Sequence, residues 1–201
     1  LLETRPDLVF NVAEGKPGQG VSREAYYPSV FEQLGIPYTG GGPALMYVDL
    51  DKRLTEKLLS VHGIETPRGI IATRDRPDLP EDLAPPLIVK PNFEGTSKGI
   101  YQKSVVESLE EARELVDDLL EEYPEGVDVE QFIPGRELTV PLLEAYPGKL
   151  LAVVEHDFSQ ARGEHDIYDY ELKQTDENVR MICPAELDHE TRNAVLKVAA
   201  R

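Results

Sequence analysis

The sequence predicts a mixed fold, α/β at its start and α+β thereafter, with two α+β lobes following the end of an α/β layer. Three observations carry this. DLVFNVA (7–13), a glycine- and proline-bearing loop, a helical face and IPYTGGG follow one another as strand, loop, helix and strand. Beyond residue 42 the amphipathic helical runs become isolated between short strands. From VDVEQFI (127–133) onward, strands follow each other across Pro-Gly turns, as hairpins do. The expected division is 1–42, 43–128 and 129–201, with the two lobes meeting near 127–130.

Each element has a local reason. Tyr27, Val30, Phe31 and Leu34 fall at i, i+3, i+4 and i+7, and Gly35 stops that helix. VDLDKRLTEKLLSVHGI predicts one helix with Leu54, Leu58 and Val61 inward and Gly63 as its end. Pro67 then bars helix, and IETPRGIIAT leads into a strand. LIVK is an apolar strand, and GIYQKSV is expected to be its partner. Ser108 and Glu111 read as a capping box. Leu109, Ala112, Leu115, Val116 and Leu119 form one face of the helix that follows, and the acidic run on its other face reads as solvated. RELTVPLLEA (136–145) and KLLAVVEHD (149–157) should pair across a YPGK turn. FSQARGEHDIYDYELKQTDEN is a long polar loop of the kind that carries function. MICPAEL is a short strand, and Asp188 can cap a last helix.

Composition limits the function classes. The 201 residues carry a formal net charge of -17 with 40% hydrophobic content. Such a surface repels nucleic acid and anionic lipid, so neither is expected as a partner. The single cysteine, Cys183, excludes a disulfide framework, reads as a small buried residue and fits a reducing, cytoplasmic setting. No apolar run reaches the ~18–20 residues of a membrane span. The chain opens mid-element and stops inside an amphipathic run, so it is expected to be part of a longer protein.

Four stretches can carry chemistry. In LIVKPNFEGTSKGI (87–100), Lys90 either snorkels from a strand edge or aims at an anion. Gly95 and Gly99 admit close approach, Thr96 and Ser97 add hydroxyl donors, and successive N–H groups can cradle a phosphate. The alternative is an ordinary hairpin loop. EQFIPGRE (130–137) is either an exposed hinge strand or a segment whose backbone meets a base edge while Glu137 holds a ribose. Lys173, in IYDYELK, is either on a disordered surface loop or a cation that arrives when the loop folds over a polyphosphate. Lys52 opens a helix, where anions are favoured, or is a plain surface lysine.

Taken in order, DK..T.KLL..GI.TP, LIVKPN.EGTSKGI, VEQFI.GRELTV, YDYELK and CPAEL resemble the ATP-grasp superfamily, in its D-alanine–D-alanine ligase branch. VFNVAEG and LGIPYTGGG resemble the end of that branch's N-terminal domain. The resemblance implies a nucleotide clamped between two lobes. Lys90 and Lys52 would meet its phosphates, and the loop Glu94, Gly95, Thr96, Ser97, Lys98 and Gly99 would close over them. Glu130, Gln131, Phe132 and Ile133 would form the adenine hinge and Glu137 the ribose contact. Lys173 would reach the γ-phosphate, assisted by Thr96 and Ser97, with Tyr168 in the covering loop.

The implied reaction is ATP-dependent amide formation through an acyl phosphate, with Mg²⁺ or Mn²⁺ on the phosphates. The metal ligands, an acid–acid–Asn set, are expected beyond Arg201, so the chain alone is expected to be inactive. The expected partner is an amino acid or peptide, and a homodimer is implied by the family. Two positions depart from the branch. Glu14-Gly15 stands where it carries His-Gly, and Gln174 where it carries tyrosine. Both fall on the amino-acid side, where Glu14 and Arg23 would meet substrate, unless Arg23 and Glu24 only pair locally. Rival readings are a ligase for another amino acid or peptide, a phosphotransferase that stops at phosphorylation, and a nucleotide-binding module without catalysis.

Overall fold

The computed structural model describes residues 6–15, 20–76, 78–143, 149–161, 163–175 and 178–201. Among these, a 3₁₀ turn (Gly20–Ala25) leads into α1 (Tyr26–Leu34), α2 (Pro43–Leu50) and α3 (Lys52–Val61). β1 (Gly69–Ala72), β2 (Leu87–Pro91), β3 (Val105–Val106), α4 (Leu109–Glu122) and β4 (Val127–Gln131) follow. β5 (Glu137–Thr139), β6 (Val154–Asp157), α5 (Tyr170–Thr175), β7 (Arg180–Ile182) and α6 (His189–Ala199) complete the order. The first sheet has the order β1-β4-β2-β3 and the second β5-β6-β7, and every described ladder is antiparallel.

The first sheet has two unlike faces, and its register sets which side chain goes where. Lys90 lies opposite Asp128, Ile88 opposite Glu130, and Val89 opposite Val129. Leu87, Val89, Val127 and Val129 therefore share one face, where they pack with Ala112, Val116 and Leu120 of α4. Alternation sends Ile88, Lys90, Asp128 and Glu130 to the other face. A strand reading V-D-V-E would ordinarily turn its acids to water. Here Asp128 is 0% and Glu130 6% exposed, because a further layer of the protein covers that face.

Several elements follow the expectations. α1 ends at Gly35, which is left-handed at φ 64. Ser108 Oγ accepts from Glu111 N at 3.2 Å, and Asp188 Oδ1 accepts from Thr191 N at 2.9 Å to open α6. β5 and β6 pair antiparallel as expected, although residues 144–148, which include most of the YPGK turn, lie outside the described residues.

Other elements differ. The strand expected at 7–13 is reduced to one parallel bridge, Val9 to Tyr38, flanked by exposed Phe10 and Val12. The single helix expected at 48–62 is two: Asp51 is extended (ψ 96), and its carboxylate caps α3 by accepting from Leu54 N at 3.1 Å. A capping side chain has to sit outside the helix it starts, so the helix breaks there. On α3, Leu58 and Val61 are exposed and Arg53 is the buried residue. The partner strand expected at 99–105 shrinks to Val105–Val106, because Gln102–Ser104 form a 3₁₀ turn closed by Tyr101 N donating to Ser104 Oγ at 3.0 Å. Glu111 reaches past its own cap to accept from Glu107 N. Cys183 is exposed, since it stands at the end of the edge strand β7.

Candidate functional site

A cavity of about 410 Å³ opens between the two sheets. Its floor is the polar face of the first sheet, Ile88, Lys90 and Glu130, with Gln131 at the end of β4. One wall is the link Phe132–Gly135 running into Arg136 and Glu137 at the start of β5. The other wall is the segment Asp166–Tyr168, with Lys173 of α5 and Ser97 and Ile100 of the glycine-bearing loop. The site therefore combines apolar side chains on both walls with three cations, Lys90, Arg136 and Lys173, and the carboxylates of Glu130, Glu137 and Asp166.

The two covering segments are fastened to each other. Ser97 Oγ donates to the Tyr168 carbonyl at 2.5 Å, and Tyr170 N donates to the Ile100 carbonyl at 2.9 Å. Gln102 donates to Asp169 Oδ2 and accepts from His165 N, both at 3.1 Å. Thr96 and Ser97 are both left-handed, at φ 52 and 58, a conformation that costs an L-residue about 1–2 kcal/mol. Such strain persists only where surrounding contacts hold it. Here the Tyr168 carbonyl is the contact that holds Ser97.

The expected residues fall into three groups. Lys90, Ser97, Glu130, Gln131, Phe132, Ile133, Glu137, Tyr168 and Lys173 all line this cavity. Glu94, Gly95 and Thr96 instead line a second cavity of about 310 Å³, together with Glu14, Arg23, Glu24 and Asp49. A third opening, of about 520 Å³, joins the two sides through Glu14, Thr96, Lys98, Tyr168, Lys173 and Gln174. Lys52 and Gly99 line none of these cavities. The Lys52 ammonium is taken up by the carbonyls of Glu94 (2.5 Å) and Asn92 (3.3 Å), beneath the loop. Burial pushes it down to about 8, with the neighbouring Lys90 charge adding to that and nearby carboxylates opposing it. Gly99 serves packing: at φ +77, a Cβ would lie 2.5 Å from Pro91 Cγ.

Two further expectations change in detail. The amides of Gln131 and Phe132 already donate to the Arg68 and Pro86 carbonyls, each at 2.9 Å, so they are spent within the protein. Arg23 does more than pair with Glu24 at 3.7 Å. Its Nη2 donates to the Phe93 carbonyl at 2.8 Å and Glu94 Oε2 at 3.1 Å, tying the loop to the first segment of the chain. Burial pushes the Glu24 carboxyl up, Arg23 opposes this, and Glu14, Glu94 and Asp49 add repulsion.

Sequence reasoning missed what lies behind Lys90. Its Nζ is 2.6 Å from Glu130 Oε1 and 3.6 Å from Asp128 Oδ2. On the far side of the same carboxylates is Arg53, with Nη2 donating to Glu130 Oε2 at 3.1 Å and Nε 2.8 Å from Asp128 Oδ1, close but not aligned as a hydrogen bond. Arg53 also pairs with Glu56. The Asp128 carboxyl is raised to about 7: burial dominates and Glu130 adds repulsion, against the opposing charges of Lys90 and Arg53. The i, i+2 acids in VDVE and the arginine next to Lys52 were the available signals.

The carboxylate trio Glu56, Asp128 and Glu130 has metal-like spacing, with ligand atoms within 4.8 Å of one another. It does not fit a divalent ion, because the Arg53 guanidinium already pairs with all three.

Two antiparallel sheets with a covered, lysine-bearing cleft between them define an ATP-grasp fold. The family model described as D-ala D-ala ligase C-terminus matches residues 73–201, and the chain belongs to that family. Among curated proteins, the D-alanine--D-alanine ligase of Mannheimia succiniciproducens is 33% identical, over 97% of this chain and 60% of its own length. That of a Jannaschia species is 32% identical, over 100% and 59%. Among solved structures, the VanG D-Ala:D-Ser ligase of Enterococcus faecalis superposes with a TM-score of 0.72 at 27% identity, covering 96% of this chain and 54% of that one. The D-alanine--D-alanine ligase of Bacillus anthracis complexed with ATP gives 0.69 at 26% identity, covering 98% and 59%. The chain thus spans about 60% of the length of the curated relatives it matches. Among the described residues, no helix is long and apolar enough to cross a membrane.

Proposed function

We propose that this chain supplies the nucleotide-binding part of an ATP-dependent carboxylate–amine ligase of the D-alanine–D-alanine ligase type. One observation supports this above the rest: Lys90 and Lys173, from different lobes, line one cleft together with the apolar Ile88, Phe132, Ile133 and Ile167. The base would lie against those apolar side chains, and Glu137, exposed at the rim, would accept from the ribose hydroxyls. Lys90 from the floor and Lys173 from the cover would neutralise the phosphates. Phosphoryl transfer needs little more from a protein than charge neutralisation, alignment and dryness.

The covering segments supply the dryness, because the Ser97–Tyr168 and Tyr170–Ile100 hydrogen bonds close the cleft from above. A substrate carboxylate would enter through the third opening, where Thr96 and Lys173 stand together. It would take the γ-phosphoryl group there, and an amine held in the second cavity near Glu14, Glu24 and Asp49 would displace the phosphate. Mg²⁺ or Mn²⁺ on the phosphates belongs to this proposal, with ligands other than the trio around Arg53. The proposed division of the chain falls at residues 42 and 128, with β4 crossing the second border and joining the lobes.

The test is phosphate release by the full-length protein with ATP, Mg²⁺ and a panel of amino acids and dipeptides. Release that requires an amine, with D-alanine among the active acceptors, supports the ligase reading. Release without any amine would favour a phosphotransferase. Tight ATP binding with no release for any member would overturn catalysis and leave a binding module.

A further inference from the structure

The buried charges behind the cleft form an ordered stack. From the cavity inward come Lys90, then the Asp128 and Glu130 carboxylates, then Arg53, with the Glu56 carboxylate also on Arg53 and within 4.8 Å of the other two. Each of the two central carboxylates turns one oxygen to each cation. Glu130 gives Oε1 to Lys90 at 2.6 Å and Oε2 to Arg53 at 3.1 Å. Asp128 gives Oδ2 to Lys90 at 3.6 Å and Oδ1 to Arg53 at 2.8 Å. Lys90 and Glu130 line the cavity, whereas Arg53 and Asp128 do not. Arg53 is 8% and Asp128 0% exposed, so water cannot stand in for either charge.

This arrangement has a consequence for any anion that enters. A phosphate that meets the Lys90 ammonium competes with the two carboxylates for the same charge. Their negative charge must then be met from behind, and the guanidinium is the group placed to do it. We propose that Arg53 is a positioning residue for polyphosphate binding: by sharing the Asp128 and Glu130 carboxylates with Lys90, it sets how freely the Lys90 ammonium turns toward the ligand. The proposal rests on the reading of the cleft as a nucleotide site.

It also predicts a pH dependence centred on Asp128. The charged groups around that carboxylate are Lys52, Arg53 and Glu56 from α3, Lys90 from β2 and Glu130 on its own strand. The neighbouring strand β1, Gly69–Ala72, carries no titratable side chain. When Asp128 is protonated, Lys90 has one fewer rival for its charge, so polyphosphate binds more tightly. When it ionises near neutral pH, binding weakens.

The experiment is calorimetric titration of the full-length protein with the ATP analogue AMP-PNP and Mg²⁺, from pH 6 to 8, for wild type, R53Q, R53K, D128N and the R53Q/D128N double variant. Thermal melts establish that each variant is folded. R53Q should bind about tenfold more weakly or worse, with R53K between it and wild type. D128N should lose the decline in affinity with rising pH that wild type shows, a comparison in which the ligand's own titration cancels. The double variant should bind more tightly than R53Q, because one of the carboxylates that Arg53 matched has gone with it, while Glu130 and Glu56 remain. A merely structural arginine would give no such rescue. If wild type does not bind the analogue, the nucleotide reading fails and this proposal with it. If wild type binds and R53Q matches it, or the double variant is no better than R53Q, or D128N keeps the wild-type pH profile, the proposal alone is overturned. Should R53Q not fold, the D128N profile still decides.

Discussion

Replacing Gly99 with alanine should destabilise the protein markedly, and the size of the effect follows from its surroundings. Gly99 closes the covering loop at φ +77, where an L side chain costs about 1–2 kcal/mol. The added Cβ would lie 2.5 Å from Pro91 Cγ, 2.9 Å from Pro91 Cδ and 3.2 Å from the Tyr123 hydroxyl. Pro91 is the buried last residue of β2, and its ring is not the free end of a flexible chain, so relief requires a strand or loop to shift. Overpacking of that kind adds about 1–3 kcal/mol. Loss of glycine's freedom in the unfolded chain returns about 0.4–1 kcal/mol. The net loss is about 1–5 kcal/mol. With a urea slope of about 2 kcal/mol/M, the unfolding midpoint of Gly99→Ala should fall by about 0.5–2 M. Gly95→Ala is the control. Its Cβ meets nothing within 4 Å and its backbone lies outside the left-handed region, so it should stay within about 0.5 kcal/mol of wild type. If Gly99→Ala unfolds at the wild-type urea concentration, or Gly95→Ala is equally damaging, the loop does not pack as described.

Leu87→Ala should cost about 3 kcal/mol in the same assay, because Leu87 is 0% exposed between the first sheet and α4 and leaves a cavity that neighbouring side chains cannot close. Stability should also vary with pH in a way that names its source. Asp128 holds its proton more tightly folded (about 7) than unfolded (near 4), so its contribution is greatest below pH 4, declines as pH rises to about 7 and is flat above. Lys52, lowered to about 8, has the opposite sign, and its contribution rises between about pH 8 and 10.5. Denaturant melts of wild type and Asp128→Asn across pH 4–9 should therefore differ in slope between pH 4 and 7 and run parallel from 7 to 8. Parallel curves throughout would contradict the burial assigned to Asp128.

How much was legible in the sequence depended on whether a residue's role was local. Gly35, Ser108 and Asp188 act on backbone a few residues away, and their stops and caps stand where sequence placed them. The i, i+3, i+4 face of α4 was equally plain, since it packs on one sheet. Asp51 was misread because a cap and a mid-helix aspartate look alike until the chain is seen to bend there. Leu58 and Val61 followed helical spacing yet are exposed, and Arg53, off that apolar spacing, is buried. Periodicity reports a face but not what covers it. The same limit hid the site's inner layer. V-D-V-E alternates like a half-solvated strand, and only the packing of α3 over that face turns Asp128 and Glu130 into buried partners of two cations. Lys90, Lys173 and Phe132–Glu137 lie far apart in the chain, and the structure brings them to one cavity between two sheets. Lys52 has the expected charge but spends it on the carbonyls of Asn92 and Glu94.

The central claim is that an adenine nucleotide sits in the cleft between the sheets. Photolabelling of the full-length protein with 8-azido-ATP and Mg²⁺, followed by peptide mapping, tests it most directly. Label is expected on the cleft-lining segments, Phe132–Glu137 or Asp166–Lys173, abolished by excess unlabelled ATP. ATP-protectable label confined to other segments, or no protectable label at all, would contradict it.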